Sequence, residues 1–495
     1  MANLKDIDYG VGKYLTTSDA SGLPNISSNT IDIERLHFKL ATTNSFAKYD
    51  MKDGFLDAFQ DTSGVDASAS TNETRDGSGE YYSGSLAVSA ATTAINSSGT
   101  WTAPDPAPTT VEVLVVAGGG GGGFKGGAGG GAGGIVHHAS YAVTAGVVYD
   151  VTVGAGGSGA PASSAPDVSG TNGSNSVFNV NNEGSNTAMT AVGGGGGGSV
   201  VDAGGSSTSG YYWGNVGGSG GGSVYGGSGT NPRPGGLAGQ PAVSGASVYG
   251  NNGGAGYFVG SPTQNRKNGG GGGAGGAGSG GSSGNGNGGA GRQFSNFSPY
   301  GVSSGYFGGG GGTGFVTGDG YSWAGPGTGQ HGGGNGANTA NGGAATANTG
   351  SGGGGGGYNI SPNPNVNYAG GAGGSGFIGV HYGAFTAYQD ITLVSATQTA
   401  VAAPTTGRLI IFEEAATGTT TINTDIKGWV SRDNGSNYDQ ITLSSKGTYE
   451  TGKRILEGSV DFTMSASTNM RYKITTHNQA SNKITRIHGA SMLWS

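Results

Sequence analysis

Apolar residues in the middle of the chain form short runs that are separated by glycine-rich stretches. The runs cover residues 111–116, 135–143, 147–153 and 177–180, and a last run covers 377–382. They are rich in Val, Ile and aromatic residues and are bounded by turn-forming residues, which is typical of β-strands. We therefore predict that strands open and close a folded central region.

The C-terminal part, residues 389–495, consists of short apolar or alternating runs between turns. Tyr472 and Ile474 share one face of such a run, while Arg471 and Lys473 share the other. The sequence Asp-Asn-Gly-Ser at 433–436 is a strong turn signal. Seven strands and therefore a β-sandwich are predicted, at residues 391–394, 408–412, 425–432, 440–444, 459–464, 470–475 and 484–494.

The first hundred residues have a mixed pattern. Residues 36–40 alternate between apolar and polar, as strands do, whereas Phe55, Leu56 and Phe59 have the spacing of one or two helical turns. Residues 83–99 are rich in Ser, Ala and Thr, and we interpret them as a connector or an edge strand that leads to Trp101.

Glycine content separates the central region from the rest of the chain. All but 18 of the 113 glycines lie between Ala117 and Gly379. A flexible linker has a similar composition. Linkers are poor in aromatic residues, however, and this region keeps aromatic residues throughout. We therefore predict a folded glycine-rich domain over residues 101–382.

Ordering so much glycine is unfavourable, since each glycine in regular structure costs about 0.5–1 kcal/mol relative to alanine. The runs 118–123, 193–198 and 352–357 have no side chains to bury, so backbone hydrogen bonds must hold them. Helices of the polyproline II type have three residues per turn and no internal hydrogen bonds, so they can bond sideways. We predict β-strands plus polyglycine II-like packing. Collagen is excluded, because the chain has only 15 prolines and no Gly-X-Y repeat.

Charge and cysteine content exclude several classes of protein. Only 10% of the residues are charged and the formal net charge is -7, so we expect no binding to nucleic acid. The absence of cysteine excludes disulfides and thiolate metal sites. We find no signal-peptide pattern and no apolar run of membrane-spanning length, so we expect cytoplasmic synthesis and no membrane insertion.

Motifs for catalysis are weak. Matches to G-x-G-x-x-G are inevitable at this glycine content, and no G-x-x-x-x-G-K-[ST] motif occurs. His137 and His138 are adjacent and would face opposite sides of a strand, so a structural role is favoured over metal binding. An enzyme that cleaves polysaccharide would need two carboxylates, for which the candidates are Glu413, Glu414, Asp425, Asp433, Asp439 and Glu457. We expect no enzymatic activity, no cofactor and no metal.

Five segments of the chain carry a resemblance to a known family. They are WTAP from Trp101, VEVLVVAGGGGGG from Val111, TAGVVYDVTVGAGGSG from Thr144, NGSNSVF from Asn172 and GGAGGSGFIGVHY from Gly370. In order and spacing they resemble the glycine-rich domain of bacteriophage tail-fibre and tail-associated proteins. The C-terminal segments NTDIKGWVSRDNG and TRIHGASMLWS look like a terminal β module of phage structural proteins, and the N-terminal DIDYGVGKYLTTSDA is similar to virion-associated sequences.

The resemblance implies a structural protein of the virion, namely a tail fibre or a receptor-binding adhesin that contacts the host surface. It further implies a homotrimer, attachment to other tail or virion proteins through residues 1–100, and a host glycan or outer-membrane receptor as partner. Two alternatives stay open. One is a capsid fibre or decoration protein without a receptor role, and the other is a tailspike that degrades surface polysaccharide.

Aromatic residues on the predicted glycine-rich loops are the candidate receptor contacts, because flat rings on exposed loops suit sugar faces and apolar patches. The alternative is that the same rings seal the glycine packing against water or against a neighbouring subunit. The candidates are Tyr211, Tyr212, Trp213, Tyr257, Phe258, Tyr306, Phe307, Tyr321 and Trp323.

Overall fold

The protein is mainly β, with 36% of its residues in strands and 4% in helix. The computed structural model describes residues 26–43, 48–51, 53–162, 168–200, 212–225, 232–259, 265–281, 285–317, 325–360 and 365–495. No helix within these ranges is long and apolar enough to cross a membrane.

One helix and five strands precede the glycine-rich region in the described residues. They are α1 (Ile26–Thr43), β1 (Lys48–Met51), β2 (Gly54–Asp57), β3 (Thr74–Asp76), β4 (Tyr81–Ser83) and β5 (Ser85–Val88).

Sixteen short strands follow within the described part of the glycine-rich region. They are β6 (Ala91–Ile95), β7 (Gly99–Thr102), β8 (Thr110–Val116), β9 (Ile135–Ala142), β10 (Val148–Thr152), β11 (Ser176–Phe178), β12 (Met189–Ala191), β13 (Ser247–Tyr249), β14 (Tyr257–Val259), β15 (Asn265–Lys267), β16 (Arg292–Gln293), β17 (Tyr306–Phe307), β18 (Val316–Thr317), β19 (Tyr358–Asn359), β20 (Val366–Asn367) and β21 (Phe377–Tyr382). Two 3-10 turns lie at Glu183–Ser185 and Ser295–Phe297. Each of the five strands predicted for the central region overlaps an observed strand.

Ten strands complete the chain, and each of the seven C-terminal predictions overlaps one of them. They are β22 (Phe385–Tyr388), β23 (Thr392–Val394), β24 (Gln398–Thr399), β25 (Thr406–Thr417), β26 (Ile426–Ser431), β27 (Asp439–Ile441), β28 (Ser444–Glu450), β29 (Lys453–Asp461), β30 (Asn469–Thr476) and β31 (Ile484–Trp494).

The chain forms two compact units. The sandwich unit contains the described residues up to Val88 together with Thr386–Ser495, and the glycine-rich unit contains Ser89–Phe385. The sequence pattern had assigned 1–100 and 389–495 to separate domains, whereas β2 pairs with β31, with Phe55 opposite Met492. A pairing between the two ends of a chain leaves no local signal in either segment, so the pattern could not show it.

Two antiparallel sheets share the core of the sandwich unit. One has the order β1-β2-β31-β25-β29-β28, with β4 also paired to β31, and the other has the order β23-β30-β26-β27. Leu409 and Ile411 of β25 pack in the same cluster as Ile474 of β30, so this side of β25 faces the second sheet. Ile410 and Phe412, on the opposite side of β25, pack against Phe38 of α1.

Two local predictions for the N-terminal part were wrong. Residues 36–40 lie in α1, where Phe38 and Ala41 are three residues apart and therefore share the face that packs on the sheet. Phe55 and Leu56 lie in β2, because this strand is buried on both faces and its apolar residues therefore follow one another without alternation. Phe59 follows the strand in a left-handed conformation with φ 52.

In the glycine-rich unit, sheets lie at one end of the glycine tracts. A five-stranded sheet of order β13-β9-β8-β21-β6 packs on a four-stranded sheet of order β12-β11-β10-β7, with Trp101, Val115 and Ile378 in their shared core. β6 is an edge strand, in agreement with one reading of residues 83–99. Glycine tracts continue directly from β8 and lead directly into β9 and β21.

The tract Gly118–Gly123 donates hydrogen bonds with a period of three residues. The successive acceptors are the carbonyl oxygens of Ser174, Gly374 and Gly131, followed by those of Thr171, Gly371 and Ala128, at 2.8–3.0 Å. N–H groups three residues apart in the tract therefore donate to the same neighbouring segment. As the tract advances by three residues, the acceptor in that segment moves back by three, as from Ser174 to Thr171. Three neighbours thus run antiparallel to the tract.

The carbonyl oxygens of the same tract repeat with the same period. They accept N–H groups from Gly194, Gly157 and Gly353, followed by those from Gly197, Ala160 and Gly356. Here the residue numbers rise together, so these three neighbours run parallel to the tract. Six segments therefore surround Gly118–Gly123 in the lateral hydrogen bonding that we predicted for polyglycine II-like packing. We call this arrangement the glycine lattice.

Close approach of the backbones explains why the lattice needs glycine. A Cβ atom on Gly120 would lie 2.2 Å from the carbonyl oxygen of Gly195, and one on Gly122 would lie 2.0 Å from that of Gly354. Both obstacles are backbone atoms, so no side chain can turn aside. The tract itself is completely buried.

Asparagine side chains complete the hydrogen bonding where the lattice ends. The Oδ1 atoms of Asn175 and Asn172 accept the N–H groups of Gly193 and Gly196, both at 2.9 Å. Because these two asparagines are three residues apart, they match the lattice period. Further asparagines accept lattice N–H groups in the same way, namely Asn252, Asn287, Asn335 and Asn341.

Candidate functional site

The glycine tracts run back and forth between two ends of the unit. We call the end at β8, β9 and β21 the sheet end and the opposite end the loop end. The first tract reaches the loop end at Lys125 and Gly126, where both residues have positive φ and the chain reverses. Tracts parallel to Gly118–Gly123 arrive at the same end, because residues 157–160, 194–197 and 353–356 bond to it in register.

Short paired strands lie among the described residues of the loop end. They are the pair of β14 and β15 and the sheet of β18, β19 and β20. The lattice therefore returns the chain repeatedly to one surface.

Lys125 and Tyr358 form the first of the cation-aromatic contacts among the described residues of the loop end. The Lys125 ammonium lies 4.9 Å from the centre of the Tyr358 ring, and Lys125 is buried. Its backbone N–H donates to the Tyr368 carbonyl oxygen at 3.2 Å. This contact closes the first reversal of the chain.

A small apolar cluster supports the neighbouring connections. Tyr212 and Tyr225 pack on Ala128, Val200 and Val224. The side-chain oxygen of Asn268 accepts the Tyr225 N–H at 2.9 Å, and its amide nitrogen donates to the carbonyl oxygen of Gly126. At this end, side-chain contacts rather than hydrogen bonds between glycine backbones therefore hold the segments together.

Arg233 forms the second cation-aromatic contact. Its side chain is fully buried, and the guanidinium carbon lies 4.3 Å from the centre of the Tyr212 ring and 6.0 Å from that of Trp213. Its backbone exchanges two hydrogen bonds with Gly256, each 2.9 Å long. Burial lowers the pKa of Arg233, but arginine starts so high that it stays a cation near neutral pH.

Four of the nine candidate aromatic residues lie at the loop end. Trp213 is 37% exposed, Tyr212 and Tyr257 are half-buried, and Phe258 lies in the hairpin of β14 and β15. The structure therefore brings residues from two of the predicted aromatic segments, 211–213 and 257–258, to one end of the unit. Tyr211, Tyr321 and Trp323 lie outside the described residues.

Tyr306 and Phe307 lie at the sheet end, away from the other candidates. The ring of Tyr306 stacks on His331 with 4.1 Å between centres, and fully buried Phe307 stacks on Phe377 of β21 at 4.9 Å. The hairpin of β16 and β17 folds back on the five-stranded sheet, so Phe307 fills the core there. These two residues do not belong to the candidate site.

The adjacent histidines face opposite sides of β9. His137 Nε2 lies 2.8 Å from a carboxylate oxygen of Glu112, whereas the His138 ring packs edge-on against Tyr141. No cluster of three or more His, Asp or Glu suited to a metal ion occurs among the described residues.

The six carboxylates considered for polysaccharide cleavage lie in the sandwich unit, and each takes part in a structural contact. The contacts are Glu413 with Arg454, Glu414 with His488, Asp425 with Lys483, Asp433 with Asn437, Asp439 with Thr463 and Glu457 with Arg408. Burial works to raise the pKa of Asp425, but hydrogen bonds from Lys483 and Asn478 outweigh it and the pKa lies below its usual value. A general acid needs the opposite shift.

Sequence reasoning missed Arg233, Tyr225 and Asn268. A usable signal existed for Arg233, because charged residues are rare among the glycines and a lone cation there needs a specific environment. Tyr225 and Asn268 gave no such signal, since both residue types recur throughout the region.

Comparison with known families agrees with the position of the lattice. A family model described as a glycine-rich domain matches residues 92–383. No curated protein matches the chain. The matched segment covers more than half of the 495 residues and contains the framing strands β8 and β21, all the glycine tracts and the loop end. The chain therefore belongs to the glycine-rich domain family.

Proposed function

We propose that this protein is a structural protein of a bacteriophage virion, a tail fibre or receptor-binding adhesin that contacts the host surface through the loop end. The observation that carries the proposal is the repeated return of the chain to one surface. The lattice that carries this surface is held by backbone hydrogen bonds between its tracts. Recognition commonly resides on loops that a rigid scaffold holds in place.

The loop end has the composition of a recognition surface. Its described residues include an exposed Trp213 and half-buried Tyr212 and Tyr257, and the residues around them are mainly Gly, Ser and Asn. Aromatic rings supply contact area at a low entropic cost, and small polar residues supply hydrogen bonds.

The trimer and the attachment of residues 1–100 to other virion proteins belong to the same proposal and rest on the resemblance to phage tail proteins. Light scattering of the purified chain tests the trimer. We expect a particle of three chains of 48.1 kDa each, and a monomer across the concentration range would contradict it.

The receptor role is tested by adhesion of the labelled protein to whole cells from a panel of bacteria. Replacement of Tyr211, Tyr212 and Trp213 by alanine should abolish adhesion to every strain that the wild-type protein binds. Tyr306→Ala is the matched control, because this ring is also half-buried but lies at the sheet end. Unchanged adhesion of the folded triple variant would overturn the proposal, and a copy number of tens to hundreds per particle would favour a capsid location.

A further inference from the structure

Arg233 connects two separate loop-end segments that carry candidate aromatic residues. Its guanidinium group lies against Tyr212 and Trp213, and its backbone forms an antiparallel bridge with Gly256, the residue before Tyr257. Both bridge hydrogen bonds are 2.9 Å long. One buried residue therefore fixes the position of both aromatic segments.

The Arg233 side chain can restrict Trp213 in a way that few side chains can. A guanidinium group is planar and stacks on aromatic faces, whereas an ammonium is a compact point charge. Arg233 is fully buried, so its cation is held away from competing water, 4.3 Å from the centre of the Tyr212 ring and 6.0 Å from that of Trp213. Trp213 keeps 37% of its surface exposed while its neighbour Tyr212 is anchored in the apolar cluster.

Trp213 is the exposed aromatic side chain among the described residues of the loop end. Of the positions that follow it, Asn215 donates a side-chain N–H to the carbonyl oxygen of Gly170 at 3.3 Å, and Val216 is 57% exposed. A single exposed indole offers one flat apolar face, which matches the C–H face of one pyranose ring. An apolar protein patch would need a larger continuous apolar area.

We propose that Arg233 is the positioning residue that holds Trp213 as a stacking platform for a pyranose ring of a surface glycan. This inference rests on the proposed receptor function, because it names the ligand class and a supporting residue of the same site. Arg233 does not touch the sugar in this arrangement. It acts through the orientation of the indole.

Binding of simple sugars tests the ligand class. The probes are the methyl glycosides of glucose, galactose, mannose and N-acetylglucosamine, titrated into the full-length protein and followed by isothermal titration calorimetry, which does not depend on the tryptophan that is replaced. At least one should bind the wild-type protein, and Trp213→Ala should weaken that binding about tenfold. If none of the four binds, the sugar class is wrong. If Trp213→Ala binds as well as wild type, the proposed receptor site itself is wrong.

The role of Arg233 is tested with a readout that does not depend on binding. Incorporation of 5-fluorotryptophan gives one fluorine resonance per tryptophan, and Trp213→Ala identifies the Trp213 signal. We expect Arg233→Leu to shift or broaden that signal and to weaken sugar binding about threefold or more. Arg292→Leu is the matched control and should leave both unchanged, since Arg292 also lies over a tyrosine, 4.0 Å from the centre of the Tyr249 ring, but at the sheet end.

Arg233→Lys separates positioning from folding. It keeps the charge but not the planar stack, so we expect a folded protein with a Trp213 signal and an affinity between those of wild type and Arg233→Leu. The role of Arg233 is overturned, with the receptor function intact, if Trp213→Ala weakens binding while Arg233→Lys and Arg233→Leu leave both the affinity and the Trp213 resonance unchanged.

Discussion

The sandwich unit and the glycine-rich unit are both buried at their centres, but different groups fill those centres. In the sandwich, fully buried side chains such as Leu409, Ile411 and Ile474 meet between two sheets. In the glycine lattice, backbones meet directly, and Gly118–Gly123 bonds to six neighbouring segments. The first centre gains stability from apolar area, at about 25 cal/mol per Å², and the second from many hydrogen bonds of about 0.5–1.5 kcal/mol each.

This difference determines what each region tolerates. A side-chain core absorbs small changes in volume by repacking, because rotamers can adjust. A backbone lattice has no rotamers, so any added atom must displace a main chain that is itself bonded on several sides.

Addition of one methyl group to the lattice should have the largest effect. Gly120→Ala places Cβ 2.2 Å from the carbonyl oxygen of Gly195, so the glycine-rich unit should lose about 4–5 kcal/mol of unfolding free energy in denaturant titration. Gly428→Ala meets only the flexible end of Leu409 within 3 Å and should cost the sandwich about 1–2 kcal/mol. Gly99→Ala, with no atom within 4 Å, is the control. Equal losses for the first two variants would contradict the comparison.

Removal of a large buried side chain should have the next largest effect on stability. The lattice tracts have no such side chain to remove. Phe412 stacks on Phe38 with 4.0 Å between ring centres and lies edge-on to Tyr449. Phe412→Ala should destabilise the sandwich unit by about 3–4 kcal/mol and release α1 from the sheet. Circular dichroism and denaturant titration measure both effects. The midpoint for the glycine-rich unit should stay unchanged, and a parallel loss there would show that the two regions are not distinct.

Loss of an asparagine at the lattice edge should have a smaller effect. Asn172→Ala removes the acceptor for the Gly196 N–H and should cost about 1 kcal/mol, because water can reach this edge. Asn172→Asp keeps the acceptor for the Gly196 N–H but places an oxygen against the Val216 carbonyl, to which the Asn172 amide donates at 3.0 Å, so it should restore only part of the loss. If alanine and aspartate behave alike in thermal unfolding, the side-chain acceptor does not matter.

Acid should affect the sandwich unit more than the glycine-rich unit, because more of its described carboxyl groups have a lowered pKa, and the effect should be weak at any one site. Hydrogen bonds from Ser68 and Arg471 lower the pKa of Asp66 to about 2, so its contribution is present above about pH 4 and is lost as the pH falls to about 2. Asp66 is partly exposed, so we expect less than about 1 kcal/mol. Asp66→Asn should flatten the acid dependence of the sandwich. A steeper acid dependence in the glycine-rich unit would contradict this assignment.

Much of the sandwich could be predicted from the sequence, because its strands contain their own periodicity. The run 470–475 alternates, and Met470, Tyr472 and Ile474 are buried as that alternation indicates. The union of the two chain ends could not be predicted, since the pairing of Phe55 with Met492 depends on contacts far apart in sequence. For α1, tertiary packing of Phe38 and Ala41 overrode a strand-like pattern.

The lateral hydrogen bonding of the glycine tracts could be predicted from the sequence, but the arrangement of the tracts beside one another could not. Glycine runs without side chains required lateral backbone hydrogen bonds, and the framing strands showed where the region begins and ends. Nothing in a glycine run specifies which segment lies beside which, so the opposite positions of Tyr212 and Tyr306 were not foreseen. The asparagine pair at 172 and 175 does contain a signal, namely its three-residue spacing.

Amide hydrogen exchange of Gly118–Gly123 tests the central claim most directly. All six N–H groups are bonded and buried, so they should exchange only when the glycine-rich unit unfolds, as slowly as the amides of β25 exchange in the sandwich. Exchange of these six amides at the rate of an unstructured chain would show that the region is a flexible linker and would contradict the account.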